Sequence, residues 1–321
     1  MEALSSLSRN KKWYLGIIIV VVIVIIALAA YLSVERPAWV VTFEYRAIYY
    51  VDGLFGIHNP LVEATYLLAP ESGGRLYSPS DVAGFTSHDW DLDSQSYIND
   101  YSHSGSNQAA VIVHSNTNMV EVSFNGTPIV DSLTFKRATA ISPSGSYVAY
   151  SEQNTASASI NPTDWSFVVV NAQTGKEVQR VPGFGGFFLT DTSLLVFNAS
   201  GIESLNLSDG KTSPVFTAPF STIVVPMAQS TDRNYIAFTD PQLSLATVFK
   251  VTLGTSGPKL SPVFSQVMPA TGSLAVTDTA LYSVSLSHTA SSQIWEYSFD
   301  RKIHGDIFQF TKGIHVTEIV M

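Results

Sequence analysis

The fold follows from four pieces of sequence that succeed one another, Ser146-Tyr-Val-Ala-Tyr150, Phe167-Val-Val-Val-Asn171, Thr174-Gly-Lys176 and Glu177-Val-Gln-Arg-Val181. The first, second and last pieces are rich in β-branched and aromatic residues, which favour extended strands. The third piece carries a glycine, which supplies the positive φ angle that a tight hairpin turn requires. Together they predict one strand followed by a β-hairpin.

The same pattern recurs along the chain after Pro37, where no amphipathic helix of convincing length interrupts it. Five apolar runs align as predicted inner strands at intervals of roughly 43 residues. They are Ala109–His114, Ser146–Tyr150, Ser193–Phe197, Asn234–Phe238 and Ala280–Val284. Each run is followed by a hairpin pattern, with turn residues such as Asn125-Gly126 and Asp209-Gly210, so the chain repeats one unit of several strands.

A repeat of this length that holds several strands is typical of a propeller blade. The chain after the linker is long enough for about six blades, with seven possible. We expect the first blade over Phe43–Phe85, and we expect Ile314–Val320 to close the ring by pairing with it. The alternative of two β-sandwiches would require a linker near the middle, where Pro182–Phe188 is instead apolar. The predicted fold is therefore all-β, a single β-propeller.

One copy of the repeat carries a family resemblance. Residues Ile141–Tyr150 read ISPSGSYVAY, which resembles the S-P-D-G-x-x-h-A-h motif (h, apolar) of WD40-like repeats in TolB-type propellers. Ser144 stands where that motif has Asp, and Ser230–Phe238 is a more degenerate copy. The resemblance implies a periplasmic or extracellular propeller that binds other proteins or ligands, and it implies no catalytic residues.

The N-terminus predicts a membrane anchor. Leu15–Leu32 has no charged or strongly polar residue, and with the two aromatic residues before it a helix reaches roughly 30 Å, the thickness of a bilayer core. Three basic residues, Arg9, Lys11 and Lys12, precede it and favour a cytoplasmic N-terminus. A cleaved signal peptide is the alternative, with Ala27-Leu28-Ala29 as the cleavage site. The expected organisation is a cytoplasmic tail over 1–12, one transmembrane helix over 13–32, a linker over 33–42 and an extracytoplasmic propeller over 43–321, either periplasmic or at the cell surface.

One acidic stretch is a candidate metal site. Its four carboxylates have the 1, 3, 5 and 12 spacing of a calcium loop, in which a hard cation takes several oxygen ligands. They are Asp89, Asp91, Asp93 and Asp100, and His88 and His103 flank them. Ser94 stands where such a loop prefers glycine. The alternative is a strand that points Trp90 and Leu92 into the core and its acids to solvent.

Composition and motifs exclude several other functions. The chain has no cysteine, which excludes disulfides, thiolate metal sites and cysteine nucleophiles. Its net charge of −9 argues against nucleic-acid binding. The sequence has no G-x-S-x-G elbow, P-loop or H-E-x-x-H motif, and Gly183-Phe-Gly185-Gly186 is interpreted as a flexible turn between blades rather than a dinucleotide site.

Two functions remain as hypotheses. The first is a protein-binding or scaffold module in an envelope or cell-surface assembly, which needs no cofactor. The second is a calcium-dependent propeller hydrolase or lyase, which requires acidic and histidine side chains from several blades to meet in the central channel.

Overall fold

A computed structural model of the chain describes residues 41–47, 62–69, 75–77, 96–154, 159–223, 226–240, 244–255, 257–268, 271–285, 293–299, 304–309 and 315–320. Residues Val41–Met321 form one compact unit. The predicted transmembrane segment, 13–32, lies outside the described residues. Among the described residues, no helix has the length and apolar character needed to span a bilayer.

The described residues form strands arranged as six antiparallel sheets of four strands each. Sheet one holds β1 (Val41–Ala47), β2 (Val62–Ala69), β3 (Arg75–Tyr77) and β24 (His315–Val320). Sheet two holds β4 (Ser96–Ser104), β5 (Asn107–His114), β6 (Met119–Phe124) and β7 (Thr127–Ser132). Sheet three holds β8 (Lys136–Ile141), β9 (Tyr147–Gln153), β10 (Trp165–Asn171) and β11 (Glu177–Pro182), with a short 3-10 helix at Pro162–Asp164.

The remaining three sheets repeat the same order. Sheet four holds β12 (Gly185–Phe188), β13 (Ser193–Asn198), β14 (Gly201–Asn206) and β15 (Lys211–Thr217). Sheet five holds β16 (Met227–Gln229), β17 (Tyr235–Asp240), β18 (Leu245–Gly254) and β19 (Gly257–Val267). Sheet six holds β20 (Thr271–Val276), β21 (Ala280–Ser285), β22 (Gln293–Ser298) and β23 (His304–Gln309).

The sheets form a closed ring. Contacts join β24 to β4, β4 to β8, β8 to β12, β16 to β20 and β20 to β24, so the first strand of each sheet is innermost. The β12 and β16 strands also meet closely, because a Cβ atom on Gly185 would lie 2.1 Å from the methyl carbon of Met227. This arrangement is a β-propeller, with its innermost strands around a central channel, and it is incompatible with two β-sandwiches.

The closure of the ring matches the expectation from the sequence. The last strand, β24, pairs antiparallel with β1, from Thr42 opposite Val320 to Arg46 opposite His315. All other sheets are built from strands that are consecutive in the chain. The prediction that Ile314–Val320 closes the ring on the first blade is therefore confirmed.

The assignment of the inner strands was wrong in a consistent way. The five apolar runs form β5, β9, β13, β17 and β21, which are the second strand of each sheet and not the innermost one. A second strand is covered on both faces by neighbouring sheets, as for Val148 and Ala149 of β9, which are fully buried. Strands covered on both faces have the longest apolar runs, whereas some innermost strands are short, such as β12 with four residues and β16 with three.

The interpretation of Gly183–Gly186 as a flexible turn is also wrong. Gly185 and Gly186 begin the innermost strand β12. A Cβ atom on Gly186 would lie 2.4 Å from the carbonyl oxygen of Leu195, and one on Gly183 would lie 2.5 Å from Val196. These glycines therefore allow close approach of neighbouring strands rather than freedom of the backbone.

Candidate functional site

The ring has two faces, which we define by the innermost strands. The entry face is the side on which the innermost strands begin, and the exit face is the side on which they end. Exit-face turns join β8 to β9, β12 to β13, β16 to β17 and β20 to β21, and in each a hydroxyl group accepts a hydrogen bond from the backbone N–H that begins the next strand. The pairs are Ser142 with Tyr147 at 3.1 Å, Thr190 with Ser193 at 3.0 Å, Ser230 with Tyr235 at 2.9 Å and Thr277 with Ala280 at 2.9 Å.

Arg233 spans the exit mouth of the channel. Its backbone has φ 62°, where the equivalent turn of sheet three has Gly145 at φ 72°. Its Nη1 donates to the carbonyl oxygens of Ile141 at 3.2 Å and Phe188 at 2.9 Å, and its Nη2 donates to the hydroxyl of Ser104 at 2.7 Å. These acceptors lie at the ends of β4, β8 and β12, so one side chain from sheet five ties together four sheets. Burial lowers the pKa of Arg233, and the nearby carboxylate of Asp191 opposes that shift.

The entry face carries exposed apolar side chains. Leu133 is 72% exposed and Phe135 is 41% exposed on the connector between β7 and β8, and Ile160 is 68% exposed in the loop between β9 and β10. We call these three residues the entry patch. The buried ring of Trp165 joins its two parts: it packs edge-on against Phe135 at 5.9 Å, and its Nε1 donates to the carbonyl oxygen of Ser159, next to Ile160.

Lys136 holds the first of these connectors in place. Its side chain is completely buried. Its Nζ donates to the carbonyl oxygens of Val120 and Thr134, each at 3.1 Å, to the hydroxyl of Thr134 at 3.2 Å and to the hydroxyl of Ser132. Burial lowers the pKa of Lys136, and the carboxylate of Glu152 at 3.8 Å opposes that shift. The connector that presents Leu133 and Phe135 is therefore preorganised.

Glu152 completes this support from β9. It accepts a hydrogen bond of 2.5 Å from the hydroxyl of Thr134 and one of 2.9 Å from Nη1 of Arg180. Arg180 also pairs with Glu177 at 2.8 Å. Burial raises the pKa of Glu152, but the hydrogen bonds from Thr134 and Arg180 together with the charge of Lys136 outweigh it, so its pKa lies below the ordinary value.

The channel wall is irregular where β4 and β8 meet. The pairing of β4 shifts between Ile98 and Asp100, and that of β8 shifts between Arg137 and Ala140, where Ala138 has φ 54°. The bulge on β8 directs the N–H and the hydroxyl of Thr139 to Oδ1 of Asp100, at 3.0 and 3.1 Å. Burial raises the pKa of Asp100, although these bonds and Arg137 oppose the shift. Bulges that re-aim side chains are common beside functional sites.

The predicted calcium site is only partly within the described residues. Asp100 lies on β4 and bonds Thr139 as described, whereas Asp89, Asp91, Asp93 and His88 lie outside the described residues. His103 belongs to β4. Among the residues whose positions the structure gives, no group of three or more His, Cys, Asp or Glu side chains could hold a metal ion. The calcium site therefore stays a prediction.

Arg137 has an unusual environment on β8. Its guanidinium carbon lies 5.8 Å from the centre of the Trp165 ring. Its Nε is shielded from solvent and has no hydrogen-bond partner in the described part of the chain. Burial lowers the pKa of Arg137, and the charge of Asp100 opposes the shift.

The sequence alone does not identify Lys136, Arg137, Glu152 or Arg233 as candidate site residues. Two signals were present in the sequence. Residues 136–137 are a Lys-Arg pair among small and apolar residues, and position 233 has an arginine where the equivalent turn of sheet three has glycine. Neither signal identifies a partner, because Lys136 and Arg137 contact residues that are 16 or more positions away, such as Glu152 and Trp165, and Arg233 contacts other sheets.

Comparison with known proteins identifies the fold. No protein-family model and no curated protein sequence matches the chain. A chain in a crystal structure of a nidogen–laminin complex is similar, with TM-score 0.54 and 8% identity over 88% of this chain and 98% of that chain.

Two further solved structures are more distant. A chain of a mitotic checkpoint complex has TM-score 0.43 and 12% identity over 64% of this chain and 63% of that chain. The β-propeller domain of Cps50 (Swd1) from Myceliophteria thermophila has TM-score 0.39 and 8% identity over 67% of this chain and 86% of that chain. At these identities the likeness concerns the fold alone, and the resemblance to TolB-type propellers stays a prediction. The chain is an all-β protein with the β-propeller fold.

Proposed function

We propose that this chain is a membrane-anchored, extracytoplasmic propeller that binds a protein partner through its entry face, as a scaffold module of an envelope or cell-surface assembly. The observation that carries the proposal is the entry patch. Leu133 and Ile160 are among the most exposed large apolar side chains of the described residues, and clustered exposed apolar groups mark interaction surfaces.

The support beneath the patch strengthens the proposal. A binding surface gains affinity when its contact groups are held in place before the partner arrives, since less conformational entropy is then lost. Lys136 and Glu152 fix the connector between β7 and β8 through polar contacts with Ser132 and Thr134. A buried cation that stabilises an exposed apolar connector is consistent with a preformed recognition element.

The experiment is site-specific photo-crosslinking in the native membrane with the full-length chain. A photoreactive amino acid at Leu133 or Ile160 should yield a discrete adduct with a partner. The matched control is Leu253, which is 57% exposed at the exit end of β18. Adduct formation at Leu253 alone, or at neither face, would contradict the proposal.

The isolated partner then gives a quantitative test. Leu133→Ser should weaken its binding about tenfold or more, whereas Leu253→Ser should leave binding unchanged, because only the first residue lies in the patch. Binding measured with and without a calcium chelator tests the alternative of a metal-dependent hydrolase or lyase. That alternative predicts a loss of bound calcium on replacement of Asp89 and Asp91 by Asn.

The membrane anchor needs a separate test. Extraction of native membranes at alkaline pH should leave the full-length chain in the membrane fraction, and a variant that lacks residues 1–32 should be soluble. Release of the full-length chain would contradict the anchor without bearing on the entry patch.

A further inference from the structure

A guanidinium group carries five N–H donors and is most stable when each has an acceptor. The Nε of Arg137 is buried without a hydrogen-bond partner in the described part of the chain. Its lowered pKa has the same origin, because burial removes water without supplying an acceptor. The remaining four N–H donors of Arg137 are on its two terminal amino groups.

Nearby acidic groups do not satisfy Arg137. The charge of Asp100 acts on it through space, but Oδ1 of Asp100 already accepts two hydrogen bonds from Thr139. Glu152 is engaged by Lys136, Arg180 and Thr134. A carboxylate from outside the ring is the group that complements the planar fork of a guanidinium, since it accepts both terminal donors at once.

Arg137 lies directly behind the entry patch. It is two residues along the chain from Phe135, a distance of roughly 7 Å on an extended strand. Its guanidinium lies over the Trp165 ring, which also packs edge-on against Phe135. The aromatic ring restrains the cation, which places a positive charge within side-chain reach of a segment that crosses the patch.

We propose that the partner supplies a glutamate or aspartate side chain flanked by apolar residues, whose carboxylate binds the terminal amino groups of Arg137 while its neighbours cover Leu133, Phe135 and Ile160. This inference rests on the proposed function and specifies the chemistry of the partner at the same face.

The test uses the full-length chain in detergent and two pools of synthetic peptides. Each peptide is acetylated and amidated, so that no terminal charge is present. The central residue is Glu in one pool and Gln in the other, and the flanking positions are drawn from Leu, Ile, Val and Phe. We expect retention of the Glu pool to exceed that of the Gln pool about tenfold or more, because an unpaired buried charge gains a partner only in the first pool.

Three variants make the result specific. Arg137→Gln should abolish the preference for Glu, and Arg137→Lys should reduce it, because a single ammonium cannot make the bidentate contact. Lys211→Gln is the control, since Lys211 is 83% exposed on the exit side. Thermal midpoints of all three variants establish that the ring remains folded.

The inference would be overturned if the wild-type chain retained the two pools equally or retained neither pool. Equal retention that disappears with Leu133→Ser would overturn it while supporting a binding patch at the entry face. If Arg137→Gln still preferred the Glu pool, the carboxylate would bind another cation, and the inference would also be overturned.

Discussion

Arg137 at the entry mouth and Arg233 at the exit mouth are both arginines whose pKa is lowered by burial, but their surroundings differ. Arg233 donates to three acceptors in three other sheets, whereas Arg137 has a buried Nε without an acceptor in the described chain. A satisfied buried cation stabilises a fold, and an unsatisfied one destabilises it unless a ligand binds. The comparison distinguishes an exit-side arginine that ties sheets together from an entry-side arginine whose proposed role is recognition.

The largest change in stability is expected from loss of the Lys136 side chain, which supports the entry patch. Lys136→Met should lower the free energy of unfolding by about 3 kcal/mol, because it leaves Glu152 and the carbonyl oxygens of Val120 and Thr134 without their cation. Chemical denaturation measures the change. Lys211→Met is the control: its ion pair with Asp209 at 3.5 Å is exposed, so its loss should cost about 0.5 kcal/mol. Equal effects of the two substitutions would show that Lys136 does not support the connector.

The second-largest change in stability is expected from loss of the Arg233 side chain at the exit mouth. Arg233→Ala should lower the free energy of unfolding by about 2 kcal/mol, since carbonyl oxygens of two other sheets lose their donor. Arg233→Gly loses the same bonds but relieves the positive φ, so it should be more stable than Arg233→Ala by about 1 kcal/mol. Denaturation of both variants checks the order, and a reversed order would contradict the role given to the turn.

Arg137→Met sharpens the comparison, because its stability effect should be small. Removal of an unsatisfied guanidinium should leave the free energy of unfolding unchanged or raised, within about 0.5 kcal/mol. Binding of the crosslinked partner should fall about tenfold or more. A loss of stability as large as that of Arg233→Ala would mean that both arginines serve the fold.

The smallest effect is on the pH dependence of stability, to which Glu152 at the entry side contributes. The pKa of Glu152 is lower in the folded chain than its ordinary value of 4.5, so its contribution to stability is present above that pH and is lost as the pH falls through the folded pKa. Glu152→Gln should therefore show a shallower loss of stability below pH 4.5. Denaturation at several acidic pH values, with Asp209→Asn as the exit-side control, measures the difference. Identical slopes for wild type and Glu152→Gln would contradict it.

The architecture was predictable because each blade repeats a local pattern. Strand pairs such as β10 and β11, joined through Thr174-Gly175-Lys176, depend on neighbouring residues only. The turn at Ser142–Tyr147 was recognisable by its motif, whereas the turn at Thr190–Ser193 makes the same hydroxyl bond with different residues. A conserved geometry with a variable sequence is visible only in three dimensions.

The candidate site was less predictable because its contacts are not local. The sequence predicts Asp100 as a metal ligand but does not predict that its Oδ1 accepts hydrogen bonds from Thr139, a residue of the next sheet. That contact depends on bulges in two strands, which no pattern in the sequence indicates. Likewise, nothing in the succession of a lysine and an arginine at 136–137 indicates burial, and only the packing of the sheets shows that Lys136 is buried.

The pairing of β24 with β1 has a consequence for the order of folding. Sheets two to six each form from one continuous stretch of chain, so they can assemble as synthesis proceeds. Sheet one cannot be completed until His315–Val320 has been made, because β24 is its innermost strand. Until then β1 presents an unpaired strand edge, the kind of surface that associates with other chains. The vulnerable period of this protein is therefore the interval between synthesis of β1 and docking of β24, and its length grows with every residue between them.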